Sequence, residues 1–571
     1  MSADATRKKI VALIAAETKL SPTEVVVMLE KPKQEAHGDL AFPCFRLAKT
    51  MRKAPPVIAA ELKEKLFAPP LPEGLAKVEP VAGYLNFTLA TDTVITDLLR
   101  QVLEQGGSYG SMTEGKGRKV VLEYSSVNIA KPFGIGHLRS TIIGAALNRV
   151  YRKLGYETIS INHLGDWGTQ FGKLIAAYRL WGSEYEFADN AIYDLYDLYV
   201  RFHEAAKSDP ALEEKGREEF RKLESGDTEN ERLWRRFHDY SMRDFNRIYE
   251  QLGVRFDYLT GESFYQERMT PVIEKLDKQH LLTVSEGAAI VDLTEYDMPP
   301  CLLKKSDDAT LYATRDLTAL LYRKDTFNFD KILYVVGSAQ KLHFRQFFKV
   351  AELMGNEWVA EQAVHVDFGW VKFSGQMMSS RAGTLIFFDD VFAKARETAL
   401  EIVIQENPGM DNVDWTAEKV TIAALVFTQL KVRRNRDVNF VWEDAFSFRG
   451  ATGPYLQYTH ARLTSLASKY GKPLPDLSAD LLLLGDEEKQ VTKRLEAYPA
   501  KIKQVAESYE TSFLAEYLLD LAAAINSYWQ RIRIITDDEK ATTARMQMAY
   551  AVRVVIADGL RLLGIEPLKR M

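Results

Sequence analysis

The segment EYSSVNIAKPFGIGHLRST, Glu123 to Thr141, passes from an apolar β run through glycines into a helical pattern, which is the make-up of a phosphate-binding turn. In an open parallel sheet the crevice beyond the strand C-termini takes the ligand. A helix N-terminus there presents free N–H groups and a positive dipole to an anion. Gly134 and Gly136 let a nucleotide come close to the backbone. Lys131 and His137 could each donate to phosphate oxygens as negative charge builds at an α-phosphate. Alone, Gly-x-Gly-His is a weak motif, and a glycine turn with a chance histidine fits it as well.

Such a turn needs a sheet to hold it. Strand signals at Lys119–Tyr124, Thr158–Asn162 and Lys331–Val336 alternate with helical stretches such as Leu138–Leu154, the order of a parallel sheet with crossover helices. The first ~110 residues read as a small α+β unit, with helices at Arg7–Glu17 and Val57–Leu66 and strands at Val25–Leu29 and Tyr84–Leu89. The breaker-rich stretch Gly106–Gly117 separates it from the rest of the chain. Residues 182–260 are helical and charged, with EEKGREEFRKLE near the middle, and read as a solvated insertion. From about Thr416 the strand signals fade, and Ser512–Tyr528 and Ala544–Leu563 predict a bundle. The expected fold is an α/β Rossmann-type core with an N-terminal α+β accessory domain and a C-terminal all-α helical bundle. Its expected divisions are 1–110, 115–375 with the insertion at 182–260, a connecting region 376–440, and 441–571.

Composition excludes several classes. With 46% apolar and 27% charged residues among 571, the chain is neither disordered nor fibrous. Lys and Arg number 74 against 79 Asp and Glu, a net −5, so an anionic partner must be met by local basic patches. Cys44 and Cys301 are too few for a thiolate zinc site or a disulfide framework, which points to a reducing, cytoplasmic compartment. Arg7, Lys8 and Lys9 before Ile10–Ala16 copy a signal peptide superficially, but Glu17 and Lys19 follow at once.

Further segments occur in order along the chain: ISINHLGDWGTQFGKLI (159–175), LYATRDL (311–317), YVVGSAQKLHFRQ (334–346) and MMSSRAG (377–383). With the first turn they resemble the class I arginyl-tRNA synthetases over essentially the whole chain. AHGDLAFP (36–43) and VAGYLNFTL (81–89) are similar to that family's extra N-terminal domain. GATGPYLQYTHARL (450–463) and GLRLLGIEPLKRM (559–571) are similar to its helical anticodon-binding domain.

The resemblance implies an ATP- and Mg²⁺-dependent ligase acting on L-arginine and tRNA(Arg) as a monomer. Arginyl-adenylate and pyrophosphate form first, then the terminal ribose of the tRNA attacks the activated carbonyl. Members of the family generally need tRNA present to activate arginine. Two signatures depart from the family pattern. His-Ile-Gly-His stands here as Gly134, Ile135, Gly136 and His137, without its first histidine. Lys-Met-Ser-Lys-Ser aligns with Met377, Met378, Ser379, Ser380 and Arg381, without either lysine. Arg381 is the nearest cation in that loop, and Lys131 stands where relatives lacking the lysine carry a substitute. A paralogue that binds tRNA or arginine without turnover stays open at this point, with Gly134 as its main support.

By resemblance, Gly134, Gly136, His137, Gly337, His343, Met378 and Ser379 face ATP, while Lys131, His137 and Arg381 supply the catalytic charge. A guanidinium asks for one carboxylate and preferably two, with aromatic or amide partners. Tyr312 and Asp316, four apart on one helical face, and Glu123 are implied for it, with Asn128, Gln340 and His163 completing the arginine site. An Asp at a helix start can equally be a cap. For tRNA, the cluster Arg433, Arg434 and Arg436 and the residues Tyr455, Gln457, Tyr458 and Arg462 offer charge and stacking, though a solvated face or bundle core reads the same way.

Overall fold

Alternating apolar residues of the N-terminal region form a three-stranded antiparallel sheet of β1 (Leu40–Pro43), β2 (Leu75–Val81) and β3 (Tyr84–Leu89), ordered β1-β3-β2. Helices Ala3–Thr18 and Pro55–Leu66 supply Ile10, Ile14, Ile58 and Leu62 to one core with Phe42 and Phe87. The computed structural model describes all residues except 1–2, 33, 35–36, 305–311, 374–375, 378–385 and 474–483. Val25–Leu29, expected as a strand, lies instead mostly within helix Pro22–Met28. Ser21 and Glu24 close a capping box and Pro22 sits in the first turn, so local capping overrides the β preference of the valine run.

The chain divides into two units: 1–109 with 462–499 and 520–557, and 110–461 with 500–519 and 558–571. In the second, β4 (Lys119–Glu123), β5 (Glu157–Asn162), β6 (Tyr258–Leu259), β10 (Lys331–Tyr334) and β11 (Ala363–His365) form a parallel sheet ordered β11-β10-β4-β5-β6. Val120, Val121, Leu122, Ile332 and Leu333 are fully buried, as both-face helical cover requires. Successive strands run one way from β4 and the other way through β10, so the switch point lies between them, with Glu123 opposite Tyr334.

Two small sheets complete this unit. One is the antiparallel set β7 (Thr283–Ser285), β8 (Ala288–Val291) and β9 (Cys301–Lys304). The other joins β12 (Val371–Phe373), β13 (Gln376–Met377) and β14 (Val438–Phe440). The insertion forms helices Ala191–Ser208, Ala211–Glu224 and Thr228–Gln251. It is not merely solvated: Leu195, Leu198, Phe202, Phe237 and Phe245 are buried. Late in the chain the helices are Gly453–Tyr470, Tyr498–Ser508, Ser512–Arg531 and Glu539–Leu562. Among the described residues no helix is long and apolar enough to cross a membrane.

Candidate active site

The turn after β4 is held in unusual backbone geometry. Ser125, Ser126 and Ala130 have left-handed φ values of 74°, 49° and 62°. Each such non-glycine residue costs about 1 to 3 kcal/mol and persists only where its surroundings over-determine it. Here each has its N–H tied to a side chain from elsewhere in the fold. Ser125 donates to Ser140 Oγ at 2.9 Å, Ser126 to Asn162 Oδ1 at 3.1 Å, and Ala130 to Ser241 Oγ at 2.9 Å. Asn128 sits in a bridge with Gly165, and a Cβ at Gly165 would lie 2.2 Å from Asn128 Oδ1, so a side chain there would force the Asn128 amide to swing away.

Gly134 caps the helix Ile135–Lys153 in extended conformation, φ −90°, which any residue adopts. Its N–H donates to His137 Nδ1 at 3.2 Å, leaving Nε2–H as the ring's outward donor. Burial, with the charge of Lys131 beside it, pushes the His137 imidazole down to about 4, so it is neutral at pH 7. Gly136, one turn position on, is exposed with open space where a Cβ would stand. Lys131 is half-buried, its Nζ 5.0 Å from the centroid of the Tyr199 ring, and burial lowers its pKa. Residues 386–388 pair with this turn: Ile135 N–H donates to Ile386 O at 3.3 Å and Phe388 N–H to Phe133 O at 2.8 Å. Met378, Ser379 and Arg381 lie outside the described residues.

Beyond the ends of β4, β5 and β10 three of the expected arginine-site residues, Asp316, His163 and Glu123, gather in one cluster around Arg323. Asp316, on helix Tyr312–Phe327, accepts from His343 Nε2 at 2.5 Å and faces His163 Nε2 at 3.8 Å. Burial would lift the Asp316 carboxyl, but the bond from His343 and the charges of His343, His163 and Arg323 hold it below its ordinary value. His163 Nδ1 donates to Thr260 O at 3.0 Å. The 3.3 Å approach of Arg323 Nη2 to that same nitrogen is therefore a contact between two donors, not a hydrogen bond. Tyr312 opens the helix, 65% exposed, one turn before Asp316. Gln340, exposed, and Gly337 bracket the short turn after β10.

One expectation changes here. Glu123 is not an open carboxylate, because Arg323, itself fully buried, forms an ion pair with it. His343 is bonded to Asp316, because its helix Lys341–Leu353 packs against Tyr312–Phe327. The structure also adds Glu262, which no motif marks. It is 8% exposed, paired with Arg315 at 3.3 Å, and pushed up to about 8 by burial, with Asp316 and Asp166 adding to the shift against Arg315. Asp166 accepts from Ser263 N–H and Oγ at 2.8 and 2.6 Å and so holds the turn that carries Glu262.

The residues expected at RNA divide. Arg434 is turned inward, bonding Asp367 Oδ1 at 2.7 Å, and its carbonyl and that of Arg436 receive the guanidinium of fully buried Arg139. Arg433 covers the Phe513 ring at 4.1 Å, whereas the Arg436 side chain is exposed. Gln457 is fully buried and donates to the carbonyls of Lys419 and Glu566, so its amide N–H groups are taken up inside the core. Tyr455 and Tyr458 are half-buried, the latter stacked on Phe448 with centroids 6.0 Å apart. Arg462 lies 4.4 Å over Trp529 and bonds Asn526 Oδ1 at 3.1 Å.

Three family models match the chain: tRNA synthetases class I (R), catalytic domain, over 98–442; DALR anticodon binding domain over 456–571; and arginyl tRNA synthetase N terminal domain over 5–89. It is 44% identical over 566 residues to the arginine–tRNA ligase of Alkaliphilus metalliredigens, covering 99% of both chains. It is 44% identical over 567 residues to that of Clostridium perfringens, covering 99% of this chain and 100% of that one. Among solved structures, the Thermus thermophilus arginyl-tRNA synthetase superposes with a TM-score of 0.75 at 26% identity over 100% of both chains. The Plasmodium falciparum arginyl-tRNA synthetase shares the fold, with a TM-score of 0.72 at 22% identity over 99% of each.

Proposed function

The chain belongs to the class I arginyl-tRNA synthetases, and we propose that the residues gathered beyond β4, β5 and β10 carry that family's reaction. The activity is arginine–tRNA ligation, with ATP consumed through arginyl-adenylate and arginine passed to the terminal adenosine of tRNA(Arg). The observation that carries the site assignment is Asp316. Its ionised carboxylate, one turn from Tyr312 and in the field of buried Glu262, stands at the sheet's switch point, where a guanidinium can be met by two carboxylates.

Asp316 and Glu262 then bind the guanidinium, with Tyr312 across it. Asn128 and Gln340 take the amino and carboxylate end. Glu123 with Arg323 forms the floor beneath them, and His163 and His343 hold Asp316 in place. On the other side, neutral His137 offers Nε2–H to an α-phosphate oxygen, while Lys131 and Arg381 stabilise the leaving pyrophosphate. Gly134, Gly136 and Gly337 border the nucleotide, with Met378 and Ser379. Catalysis on this reading is positioning and charge stabilisation, with no covalent step on the protein. Mg²⁺ would come with the triphosphate, which supplies its main ligands. Among the described residues no group of three or more His, Cys, Asp or Glu is arranged to hold a metal.

For tRNA, the assignment narrows to Arg433, Arg436, Tyr455, Tyr458 and Arg462. Residues 441–571 would read the anticodon and 1–110 would touch the outer corner of the tRNA. We take the enzyme to be cytoplasmic and monomeric, which light scattering with and without tRNA would check. The central test is arginine-dependent ATP–pyrophosphate exchange with tRNA(Arg) present. Exchange with arginine but not citrulline is expected, since citrulline keeps the shape and loses the charge. Equal exchange with both would sink the carboxylate assignment.

A further inference from the structure

The helical insertion reaches the signature turn through one aromatic face. On helix Ala191–Ser208, Tyr193, Tyr196, Tyr199 and His203 recur every three or four residues and so share a side. Tyr193 and Tyr196 meet the Phe387 ring edge-on at 5.4 and 5.5 Å. Phe387 in turn bridges Gly134 in the signature turn. Further along the same face the Tyr199 ring lies under Lys131 Nζ at 5.0 Å and packs edge-on against His203 at 4.5 Å.

Lys131 is held without being neutralised. Among the described residues no carboxylate pairs with it; its ammonium lies over the Tyr199 ring, and its charge is felt by His137 and His203. That distinction matters for a cation that must meet a leaving pyrophosphate. A carboxylate partner would compete with the phosphates for the ammonium, whereas an aromatic face attracts it through the ring quadrupole and leaves its charge and N–H groups available. A free lysine side chain would also scatter over many rotamers, and the ring removes much of that freedom before ATP arrives.

Resting on the assignment of Lys131 to the triphosphate, we propose that Tyr199 is a positioning residue for arginine activation: its ring fixes the Lys131 ammonium at the signature turn. The insertion thereby contributes to catalysis through a residue more than sixty positions away in sequence. The phenol hydroxyl is not required for this role, so phenylalanine should replace tyrosine and a branched aliphatic should not.

The test compares Tyr199→Phe, Tyr199→Leu, Lys131→Met and the Tyr199→Leu/Lys131→Met double variant in the full chain, by arginine-dependent ATP–pyrophosphate exchange with tRNA(Arg) present. Tyr199→Phe should stay within about twofold of wild type. Tyr199→Leu should lower kcat about tenfold with the arginine KM unchanged, and should cost nothing more in the Lys131→Met background. A second readout does not depend on activity. After reductive ¹³C-methylation, the Lys131 dimethylamine resonance, identified by its loss in Lys131→Arg, should be ring-shifted upfield in wild type and Tyr199→Phe and unshifted in Tyr199→Leu.

An unshifted resonance in wild type overturns the contact itself. A Tyr199→Leu penalty equal in both backgrounds, or one confined to the arginine KM, overturns the action through Lys131. If the resonance behaves as expected but Lys131→Met exchanges at the wild-type rate, the assignment of Lys131 fails, and the positioning role falls with it for that separate reason.

Discussion

The two sides of the crevice treat charge in opposite ways. On the side proposed for arginine, Glu123 and Glu262 each face a guanidinium of the protein, Arg323 and Arg315, and Asp316 accepts a hydrogen bond from His343. On the nucleotide side Lys131 rests on a ring and His137 is neutral, its acceptor nitrogen already filled by Gly134 N–H. Buried carboxylates gathered to receive a cation must each be paired, hydrogen-bonded or protonated before the ligand arrives: Glu123 is paired with Arg323, Asp316 is bonded by His343, and Glu262 is raised to about 8. A site for a triphosphate must leave its donors available to the ligand, which favours rings and backbone N–H groups over ion pairs.

The sharpest way to break this contrast is Arg323→Met. It strands the buried carboxylate of Glu123 and should destabilise the second unit by about 3 to 5 kcal/mol, read in urea unfolding. Adding Glu123→Gln should recover much of the loss, and a single variant that unfolds at the wild-type midpoint would show that the pair is not buried as described. Next, Asp316→Asn should raise the arginine KM about a hundredfold, near 3 kcal/mol, with the ATP KM changed less than about twofold. Comparable loss of both would mean that Asp316 holds the fold and not the ligand.

The pH dependence comes third. Glu262, raised to about 8, is mostly protonated at pH 7, and a guanidinium binds its ionised form. The arginine KM should therefore fall as pH rises toward about 8, by at most about tenfold per unit, and level off above it. Glu262→Gln should flatten that profile. The sign for stability is the reverse. A carboxyl raised in the folded state favours folding while protonated, and that contribution fades as pH climbs from the unfolded value through about 8. The smallest effect is expected from Gly134→His. The extended backbone there accepts any residue and the His137 contact uses the position's N–H, so exchange should change less than about fivefold. A hundredfold gain would show that the missing donor limits the enzyme.

Strands β4, β5 and β10, the signature helix and the long C-terminal helices are legible in the sequence because their signals are local: apolar runs of the right length, a glycine turn, a 3.6-residue period. Val25–Leu29 reads wrongly as a strand because three valines favour one, and only the Ser21–Glu24 capping box one turn earlier says otherwise. Arg434 and Gln457 look like RNA ligands because polarity in a sequence does not reveal direction. The first points into the protein toward Asp367, and the second bonds carbonyls inside the core. Glu262, Arg323 and Tyr199 carry no local mark at all, since each acts on a residue at least fifty positions away.

The order of motifs along these 571 residues determined the family and the reaction and named candidate side chains for the crevice, because turn chemistry and residue type are properties of short stretches. Tertiary structure decided which of those side chains are available. Whether a carboxylate is open like a ligand's partner or closed on Arg323, and whether a lysine meets an anion or a ring, depends on neighbours that only folding brings within a few ångströms. Coulomb and desolvation energies change steeply over that distance, so the same residue type can serve as wall, floor or catalyst.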